Sequence, residues 1–239
     1  MKLSIIVPAH NEQDRIARML DDYSSLFGKT YGKDFEIIVV LNACTDNTLK
    51  VVRDIEAKHH QIRHLDYEEG GKGIALIEGF KHARGDIVGF TDADGSTSAK
   101  EFLKIIRNID GFDGAIGSRW IKGSKVSPKQ PLSRRIAGRA FYILVRVLFG
   151  LNFKDTQCGA KAFKKDAMKK ILPHLKVKKW AFDIDLLYQA KRANLIIKEV
   201  PIEWKDEQGS KLKIFKTSYE MGKTILHLRL KYSFLNLAI

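Results

Sequence analysis

Short apolar runs alternate with longer amphipathic segments over the first 120 residues of the chain. The apolar runs predict buried strands, because a strand covered on both faces carries no alternating polar positions. The longer segments repeat apolar residues every three or four positions, which predicts helices with one buried face. The predicted strands cover residues 3–9, 35–41, 62–67 and 86–93, and the predicted helices cover residues 12–26 and 45–58, a segment after the glycines of 70–73, and a segment that begins with a capping box at 98–101.

This alternation of strands and helices predicts an α/β fold with a mostly parallel sheet and helices on both faces. Ligands of such sheets bind beyond the carboxyl ends of the strands. Polar residues follow three of the predicted strands, at residues 8–12, 42–46 and 92–94, so we expect the active site at this edge. The sequence has neither the glycine fingerprint of a dinucleotide-binding domain nor a P-loop motif, which argues against both of those enzyme classes.

Two carboxylates, Asp92 and Asp94, follow the fourth predicted strand. Because alternate residues of an extended chain point the same way, both carboxylates can face one cation. Mg²⁺ and Mn²⁺ prefer oxygen ligands and often share them between carboxylates and substrate phosphates. An Asp-Gly turn at Asp94, with Asp92 in solvent, is the alternative interpretation. The position of the pair, level with the other two polar strand ends, favours a divalent metal site.

The composition is typical of a folded domain in a reducing compartment. The chain has 239 residues, of which 44% are hydrophobic, enough for one large α/β domain or a domain with an appendage. Its two cysteines, Cys44 and Cys158, are far apart, which argues against a disulfide framework or a zinc site. The first apolar run is too short for a signal peptide, and no run reaches the roughly 18 apolar residues of a spanning helix.

Positive charge is concentrated in one part of the chain. The formal net charge is +14, and no acidic residue lies between Asp113 and Asp155. The same interval contains nine basic residues: Arg119, Lys122, Lys125, Lys129, Arg134, Arg135, Arg139, Arg146 and Lys154. Scattered lysines commonly form only a solubilising face. A block without acids instead favours contact with phosphate, in nucleic acid, an anionic membrane surface or a phosphorylated substrate.

The predicted helix over residues 132–150 joins a basic stripe to an apolar surface. The stripe recurs at helical spacing and consists of Arg135, Arg139, Tyr142 and Arg146. This pattern favours an interfacial helix in a membrane surface with its arginines on phosphate groups; a core helix whose arginines reach solvent is the alternative. Residues 216–239 have a similar pattern, so we expect a C-terminal amphipathic helix after a catalytic domain of residues 1–215. The basic block lacks a helix-turn-helix pattern, and we expect no nucleic acid partner.

Several short motifs occur in an order that resembles glycosyltransferase family 2: IIVPAHNE at residues 5–12, GKG at 71–73, DAD at 92–94 and GSR at 117–119. Members of that family are inverting enzymes with the Rossmann-like GT-A fold. Three further motifs look like its dolichyl-phosphate β-glucosyltransferase branch, close to dolichyl-phosphate mannose synthase: DTQCG at 155–159, WAFDIDLLY at 180–188 and GSK at 209–211. The resemblance implies transfer of glucose from UDP-glucose to a polyprenyl or dolichyl phosphate. It also implies a peripheral enzyme on the cytoplasmic face of a membrane.

The resemblance further implies the residues of the site. The nucleotide sugar is expected to contact Pro8, Ala9, Asn11, Glu12, Asn42, Lys72, Gly73, Asp92, Ala93, Asp94 and Lys211. Mg²⁺ or Mn²⁺ is expected at Asp92, Asp94 and, as a weaker ligand, Ser96, and the acceptor phosphate at Arg119, Arg135 and Arg139. The expected catalytic residues are Asp94, Arg119 and Asp155, the last of which orients or deprotonates the acceptor. Asp183 and Asp185 are expected on sugar hydroxyls above Trp180, although acids at a helix start explain them almost as well.

Three questions stay open at the level of sequence. Asn42 replaces the Asp that is common at this point in the family, so uracil and guanine are both compatible with the site. GDP-mannose and UDP-N-acetylglucosamine are alternative donors, and a non-enzymatic module that binds membranes or nucleic acid is an alternative function. Attachment to the membrane is expected to be peripheral, the alternative being that the sequence is a piece of a longer protein.

Overall fold

The structure is a computed structural model that describes residues 1–128, 132–205 and 214–236, with side chains in 1–128, 136–205 and 221–232. Its strands are β1 (Leu3–Ala9), β2 (Phe35–Asn42), β3 (Ile62–Tyr67), β4 (Ile87–Phe90), β5 (Gly114–Ser118), β6 (Lys125–Ser127), β7 (Lys161–Lys164), β8 (Ile197–Pro201) and β9 (Glu203–Lys205). Its α-helices are α1 (Ile16–Tyr31), α2 (Thr48–Glu56), α3 (Lys72–His82), α4 (Ala99–Arg107), α5 (Leu132–Phe149), α6 (Lys165–Ile171), α7 (Phe182–Arg192) and α8 (Ile214–Asn236). A 3₁₀ turn, Leu172–His174, follows α6.

Seven strands form one sheet in the order β3-β2-β1-β4-β7-β5-β8. The neighbouring strands are parallel except at β7, which runs antiparallel to both β4 and β5. The remaining two strands, β6 and β9, form a separate short parallel pair. The mostly parallel sheet expected from the alternating pattern is therefore confirmed.

Helices cover both faces of the sheet, and β1 shows how the sequence divides between the two cores. Leu3, Ile5 and Val7 belong to the core that contains residues of α1, α2 and α4. Ile6 belongs to the opposite core, which contains residues of α3, α5, α6, α7 and α8. All four side chains are completely buried, which explains why the strand reads as a continuous apolar run.

The carboxyl ends of β1, β2 and β4 meet at one edge of the sheet. In the parallel register, Ala9 of β1 pairs with Leu41 of β2, and Ile6 of β1 pairs with Phe90 of β4. The three polar segments that follow these strands therefore lie side by side, as the sequence predicts.

The strand predicted over residues 86–93 is shorter than expected. It ends at Phe90, because the chain turns after it and reaches Gly95 with a φ of 75°, a left-handed conformation that favours glycine. Asp92 and Asp94 consequently lie on a turn and not on an extended strand. The prediction that both carboxylates face one way because they lie on an extended strand is therefore wrong. Any proximity of the two carboxylates results from the turn.

The starts of two helices show where local signals succeed and fail. The helix predicted from residue 12 begins at Ile16, because Asn11 has a φ of 55° and the next residues turn before they become helical. The capping box before α4 is confirmed: the Ser98 side chain accepts a hydrogen bond from the Glu101 N–H at 3.4 Å. The cap can be predicted because it joins residues three positions apart. The conformation of Asn11 cannot, because its side chain bonds to Thr45 at the end of the neighbouring strand.

Helices are present in both segments predicted to be amphipathic, as α5 and α8, and the two helices pack against each other; their place on a membrane surface stays a prediction. The buried residues of α5 include Val145 and Phe149, and those of α8 include Ile225, Leu228 and Tyr232. Within the described ranges, every helix is too short or too polar to span a bilayer.

Candidate active site

Asp94 is anchored by the turn on which it lies. Its Oδ1 accepts a hydrogen bond from the Ser96 N–H at 2.9 Å, and the Ser96 hydroxyl also bonds to the carboxyl group. Burial raises the pKa of Asp94, and the negative charge of nearby Asp92 raises it further. Two carboxylates that lie close enough for the charge of one to act on the other are well placed to share a cation. Asp92 and Asp94 therefore lie near each other, and Ser96 orients Asp94; the expectation that these three residues bind the metal stays a prediction.

The two carboxylates do not form a complete metal site alone. Among the residues that the structure describes, no group of three or more His, Cys, Asp or Glu side chains comes together to hold a metal ion. Mg²⁺ is commonly bound by one or two carboxylates, with substrate phosphates and water as the other ligands. Asp92 and Asp94 fit that kind of site, in which the cation and the diphosphate bind together.

Lys72 joins the Asp92 carboxylate to a buried row of charges. Its Nζ lies 2.8 Å from Asp92 Oδ1 and 3.5 Å from Asp183 Oδ2. The other oxygen of Asp183 pairs with Lys161, a completely buried lysine. Burial opposes ionisation of Asp183, but Lys161 and Lys72 outweigh it and lower its pKa. The four alternating charges keep Lys72 beside the candidate metal site, where it can reach a diphosphate.

Gly159 sets the position of Asp92 from the opposite side. A Cβ atom at Gly159 would lie only 1.9 Å from Asp92 Oδ2, so no larger residue fits while Asp92 keeps its place. The sequence analysis quoted Gly159 within a motif but assigned it no role. The available signal was a glycine two residues before a strand, which often marks a close approach of another group. The sequence could not identify Asp92 as that group, because the two residues are 67 positions apart.

Replacing Gly159 by Ala is expected to weaken binding of Mn²⁺ with UDP about tenfold or more, because the new methyl group displaces Asp92. Isothermal titration of UDP in the presence of Mn²⁺ measures the change. Gly28→Ala is the matched control, since a Cβ atom at Gly28 meets nothing within 4 Å. Equal affinities for the two variants would show that Asp92 does not bind the metal.

Asn42 links three segments at the carboxyl edge of the sheet. Its Nδ2 donates to the Ala9 carbonyl at 2.8 Å, and its Oδ1 accepts from the Gly71 N–H at 3.1 Å. The His10 ring nitrogen Nδ1 lies 2.8 Å from the Asn42 carbonyl oxygen. The side-chain amide therefore holds the turn before α3 to the ends of β1 and β2. The carboxylate of an Asp at this position could not donate to the Ala9 carbonyl. Asn42 therefore has a structural role that does not depend on which nucleobase is bound.

The first strand end holds Glu12 and Arg15 as an ion pair. Arg15 Nη2 lies 2.6 Å and Nε 2.8 Å from Glu12 Oε2. Burial raises the pKa of Glu12, and Arg15 acts in the opposite direction. Asn11 is bound to the next strand end, because its Oδ1 accepts from the Thr45 N–H at 2.8 Å. The sequence analysis missed Arg15, whose spacing of three residues from Glu12 at a helix start was the signal.

Arg119 and Asp155 form a bidentate ion pair. Arg119 Nε lies 2.7 Å from Asp155 Oδ2, and Nη2 lies 2.9 Å from Oδ1. The Arg119 N–H also donates to Asp155 Oδ2, and the guanidinium lies 5.1 Å from the centre of the Trp204 ring. Burial opposes ionisation of Asp155, but Arg119 outweighs it and lowers its pKa. Such a carboxylate is a poor proton acceptor, so the geometry favours an orienting role for Asp155 over a deprotonating one.

The basic stripe of α5 lies at the surface of the protein. The Arg139 guanidinium lies 5.6 Å from the centre of the Tyr142 ring, and Arg146 Nη1 lies 3.3 Å from the Tyr142 hydroxyl. Large apolar side chains are exposed on the same helix and on α8: Ile136 (61%), Ile143 (54%), Val147 (76%), Leu226 (48%) and Leu230 (58%). The side chain of Arg135 and the whole of Lys211 lie outside the described residues. The described arginines of the stripe, Arg139 and Arg146, are thus exposed on a helix that also exposes apolar side chains.

The two acids at the start of α7 have different positions. Asp183 belongs to the row of alternating charges and pairs with Lys72, which also pairs with Asp92 at the candidate metal site. Asp185 is completely buried, and both of its oxygens accept hydrogen bonds from the protein. The expectation that Asp185 contacts sugar hydroxyls is therefore wrong. Trp180 is 49% exposed just before the helix, which is compatible with an apolar floor.

Comparison with known families agrees with this geometry. The family model for glycosyl transferase family 2 matches residues 4–172. The chain is 37% identical to dolichyl-phosphate beta-glucosyltransferase of Dictyostelium discoideum, covering 96% of this chain and 74% of that protein. It is 34% identical to the Saccharomyces cerevisiae protein of the same name, covering 96% and 75%, and 31% identical to the Homo sapiens protein, covering 97% and 76%. The chain belongs to glycosyltransferase family 2.

Solved structures with the same fold include enzymes that bind nucleotides. Glucosyl-3-phosphoglycerate synthase from Mycobacterium tuberculosis, in complex with Mn²⁺, UDP and glucosyl-3-phosphoglycerate, superposes with a TM-score of 0.69 at 18% identity, covering 94% of this chain and 77% of that one. TarS of S. aureus superposes with a TM-score of 0.59 at 23% identity, covering 84% and 58%. The fold of this chain is accordingly the GT-A fold.

Proposed function

We propose that the protein transfers glucose from UDP-glucose to a polyprenyl or dolichyl phosphate with inversion at the anomeric carbon. The observation that carries the proposal is the turn formed by residues 155–159, which touches both halves of the site. At one end Asp155 holds Arg119, and at the other Gly159 packs against Asp92. The negative charge of Asp92 also contributes to the raised pKa of Arg119, so the two halves are within electrostatic reach.

On the donor side, Asp92 and Asp94 hold the cation and Lys72 contacts the diphosphate. Mg²⁺ or Mn²⁺ bound there would neutralise charge on the leaving UDP as a Lewis acid. The relatives that share the fold with bound UDP and Mn²⁺ support this assignment. Asn42 links the segments that carry the other proposed donor contacts. These contacts are Pro8, Ala9, Asn11, Glu12, Gly73 and Ala93. Lys211 completes the proposed set from a segment outside the described residues.

On the acceptor side, Arg119 and Arg139 bind the lipid phosphate, together with Arg135. A guanidinium has five N–H donors, and the side-chain bonds from Arg119 to Asp155 use one on Nε and one on Nη2. The second pKa of a phosphate monoester is about 6, so at neutral pH its oxygens are mostly ionised and ready to attack. A strong general base is unnecessary, which agrees with the engagement of Asp155 by Arg119.

We further propose that the exposed apolar side chains of α5 and α8 rest on the cytoplasmic face of a membrane. Arginines of α5 lie among those side chains and would meet lipid phosphates at the water boundary. In this arrangement residues 1–215 form the catalytic domain and 216–239 form the C-terminal segment, of which the part described within α8 lies on the same surface. A lipid-linked acceptor would then reach Arg119 without leaving the membrane.

The proposed reaction is tested by offering several donors to the purified protein with polyprenyl phosphate in vesicles. Glucose should be transferred from UDP-glucose in the presence of Mg²⁺ or Mn²⁺, and more slowly from GDP-mannose and UDP-N-acetylglucosamine. A faster reaction with either alternative donor would overturn the assignment of the sugar. Sedimentation with anionic vesicles but no transfer from any donor would overturn enzymatic activity itself.

Replacing Ile143 and Val147 together by Asp is expected to reduce sedimentation with anionic vesicles about tenfold or more. Both side chains are exposed, and burial of such a side chain in an apolar phase contributes about 1.5–3 kcal/mol. Ile196→Asp is the matched control, since Ile196 is 62% exposed on a different element, at the start of β8. If the double variant sediments like this control, α5 does not lie in the membrane surface.

A further inference from the structure

A single buried carboxylate, that of Asp185, connects three parts of the protein. Its Oδ2 accepts hydrogen bonds from the backbone N–H groups of Lys176 at 2.7 Å and Val177 at 3.0 Å. Its Oδ1 accepts from the Tyr232 hydroxyl at 2.6 Å and from Gln189 Nε2 at 3.3 Å. Asp185 lies in α7 and Tyr232 in α8, so the carboxylate joins both helices to the segment that precedes α7.

That segment is in direct backbone contact with the first turn of α3. The Ile74 N–H donates to the Lys178 carbonyl at 3.1 Å. A Cβ atom at Gly73 would lie 2.2 Å from the Val177 carbonyl oxygen, and one at Gly71 would lie 2.4 Å from the Lys178 carbonyl oxygen. The two glycines therefore allow an approach that no other residue permits, and the segment determines where α3 begins.

Lys72 lies between these two glycines and carries the contact to the donor side. Its Nζ is 2.8 Å from Asp92 Oδ1, so a shift of the first turn of α3 moves the ammonium group relative to the candidate metal site. A continuous series of hydrogen bonds and backbone contacts thus runs from Tyr232 through Asp185 to Lys72. Burial and the bond to Asp185 raise the pKa of Tyr232, which keeps its hydroxyl protonated as a donor.

We propose that Tyr232 and Asp185 are positioning residues for donor binding: they hold residues 176–178 against Gly71 and Gly73 and thereby keep Lys72 at Asp92. The inference rests on the donor site proposed above and adds that its geometry depends on the C-terminal helix. Sites for charged ligands need such supporting contacts, because small displacements of a binding group weaken its interaction with the ligand. The ligand affected is a nucleoside diphosphate, with or without its sugar.

The test compares Tyr232→Phe with Tyr188→Phe. The first variant removes the hydroxyl that donates to Asp185 and accepts from Gln189 Nε2, and leaves the aromatic ring in place. The second removes the hydroxyl of a tyrosine whose ring centre lies 5.1 Å from that of Tyr232 and which is also buried, yet does not bond to Asp185 in the described structure. Both changes alter the same aromatic cluster, so a general loss of packing affects them alike.

Three measurements are made on each variant: hydrogen exchange, nucleotide binding and steady-state kinetics. Tyr232→Phe should speed hydrogen exchange of the Ile74 amide about tenfold, and raise the dissociation constant of UDP with Mn²⁺ about three- to tenfold. With UDP-glucose as substrate, the KM should rise more than kcat falls. Asp185→Asn keeps an acceptor for Lys176 and Val177 and should be affected less than Asp185→Ala. Tyr188→Phe should match the wild type in all three measurements.

The inference is overturned if Tyr232→Phe lowers thermal stability while Ile74 exchange and the affinity for UDP match those of Tyr188→Phe. That result would give Tyr232 a purely structural role. Failure of the donor site itself has a different signature, because the wild-type protein would then not bind UDP with Mn²⁺ at all. Exchange at Ile74 does not require the nucleotide, so it decides the role of Tyr232 in either case.

Discussion

Replacing Asp94 by Asn is expected to lower the rate of glucosyl transfer about 10²- to 10³-fold without loss of thermal stability. The Asn side chain can still accept the hydrogen bond from the Ser96 N–H, so the turn should keep its conformation. What disappears is the negative charge that is proposed to bind the cation on the leaving diphosphate. Because burial and Asp92 already disfavour ionisation of Asp94, as its raised pKa indicates, removing that charge should leave stability unchanged or slightly higher.

The measurement combines steady-state transfer from UDP-glucose, titration with Mn²⁺ and UDP, and thermal unfolding. Asp22→Asn is the matched control, since Asp22 also accepts a hydrogen bond from a backbone N–H, that of Ala99 at 3.2 Å. The control should retain activity within about threefold, an ordinary outcome for a surface change. Near-normal transfer by Asp94→Asn would remove Asp94 from the metal site.

Replacing Arg119 by Met is expected to abolish most of the transfer and to lower stability by about 3–5 kcal/mol. The Arg119 side chain is only 16% exposed and its partner Asp155 only 3%, so the change leaves a buried carboxylate without its counterion. Transfer should fall about 100-fold or more, because the guanidinium is proposed to bind the acceptor phosphate. The apparent KM for the lipid phosphate should rise, while the affinity for UDP stays the same.

A double variant separates the two effects of this change. Arg119→Met combined with Asp155→Asn removes both charges and should recover most of the stability, because a matched pair costs less to remove than one partner. Transfer should remain low in the double variant. Arg63→Met is the control, since Arg63 Nε pairs with buried Glu36 at 3.0 Å at the opposite edge of the sheet. It should lose stability and retain the KM for the acceptor.

Acid unfolding gives an independent check on the same ion pair. The pKa of Asp155 is lowered in the folded protein, so the stabilisation is present above about pH 3.9, the ordinary value for Asp, and is lost as pH falls through the folded value. The stability difference between the wild type and Asp155→Asn should therefore narrow below about pH 4.

Full activity of the double variant, Arg119→Met with Asp155→Asn, would show that Arg119 serves the fold alone.

Local patterns in the sequence were sufficient for four of the seven strands of the main sheet, β1 to β4, and for the edge at which the candidate site lies. The apolar runs of β1 and β2 and the polar residues after them determine a parallel sheet and its ligand-binding edge, since both follow from burial and strand direction. The capping box at Ser98 was equally local. The turn that carries Asp92 and Asp94 had a local signal too, the Asp94-Gly95 pair, but was considered only as the alternative to an extended strand.

The contacts that sequence reasoning missed join residues that are distant along the chain. Lys161 appeared only as one basic residue among many, yet it is completely buried and pairs with Asp183. Asp185 was expected on sugar hydroxyls together with Asp183 because both belong to the motif at residues 180–188. On a helix, residues two apart point to different sides, and Asp185 instead meets Tyr232, 47 residues further on.

The most direct test of the central claim is the configuration of the product formed from UDP-glucose and polyprenyl phosphate. UDP-glucose carries an α linkage, and the account places the acceptor phosphate at Arg119, opposite a diphosphate held at Asp92 and Asp94. Attack from that side should give only β-linked glucosyl phosphate, identified by the coupling of the anomeric proton in the nuclear magnetic resonance spectrum of the purified lipid. An α-linked product, or release of free glucose without transfer to the lipid, would contradict the account.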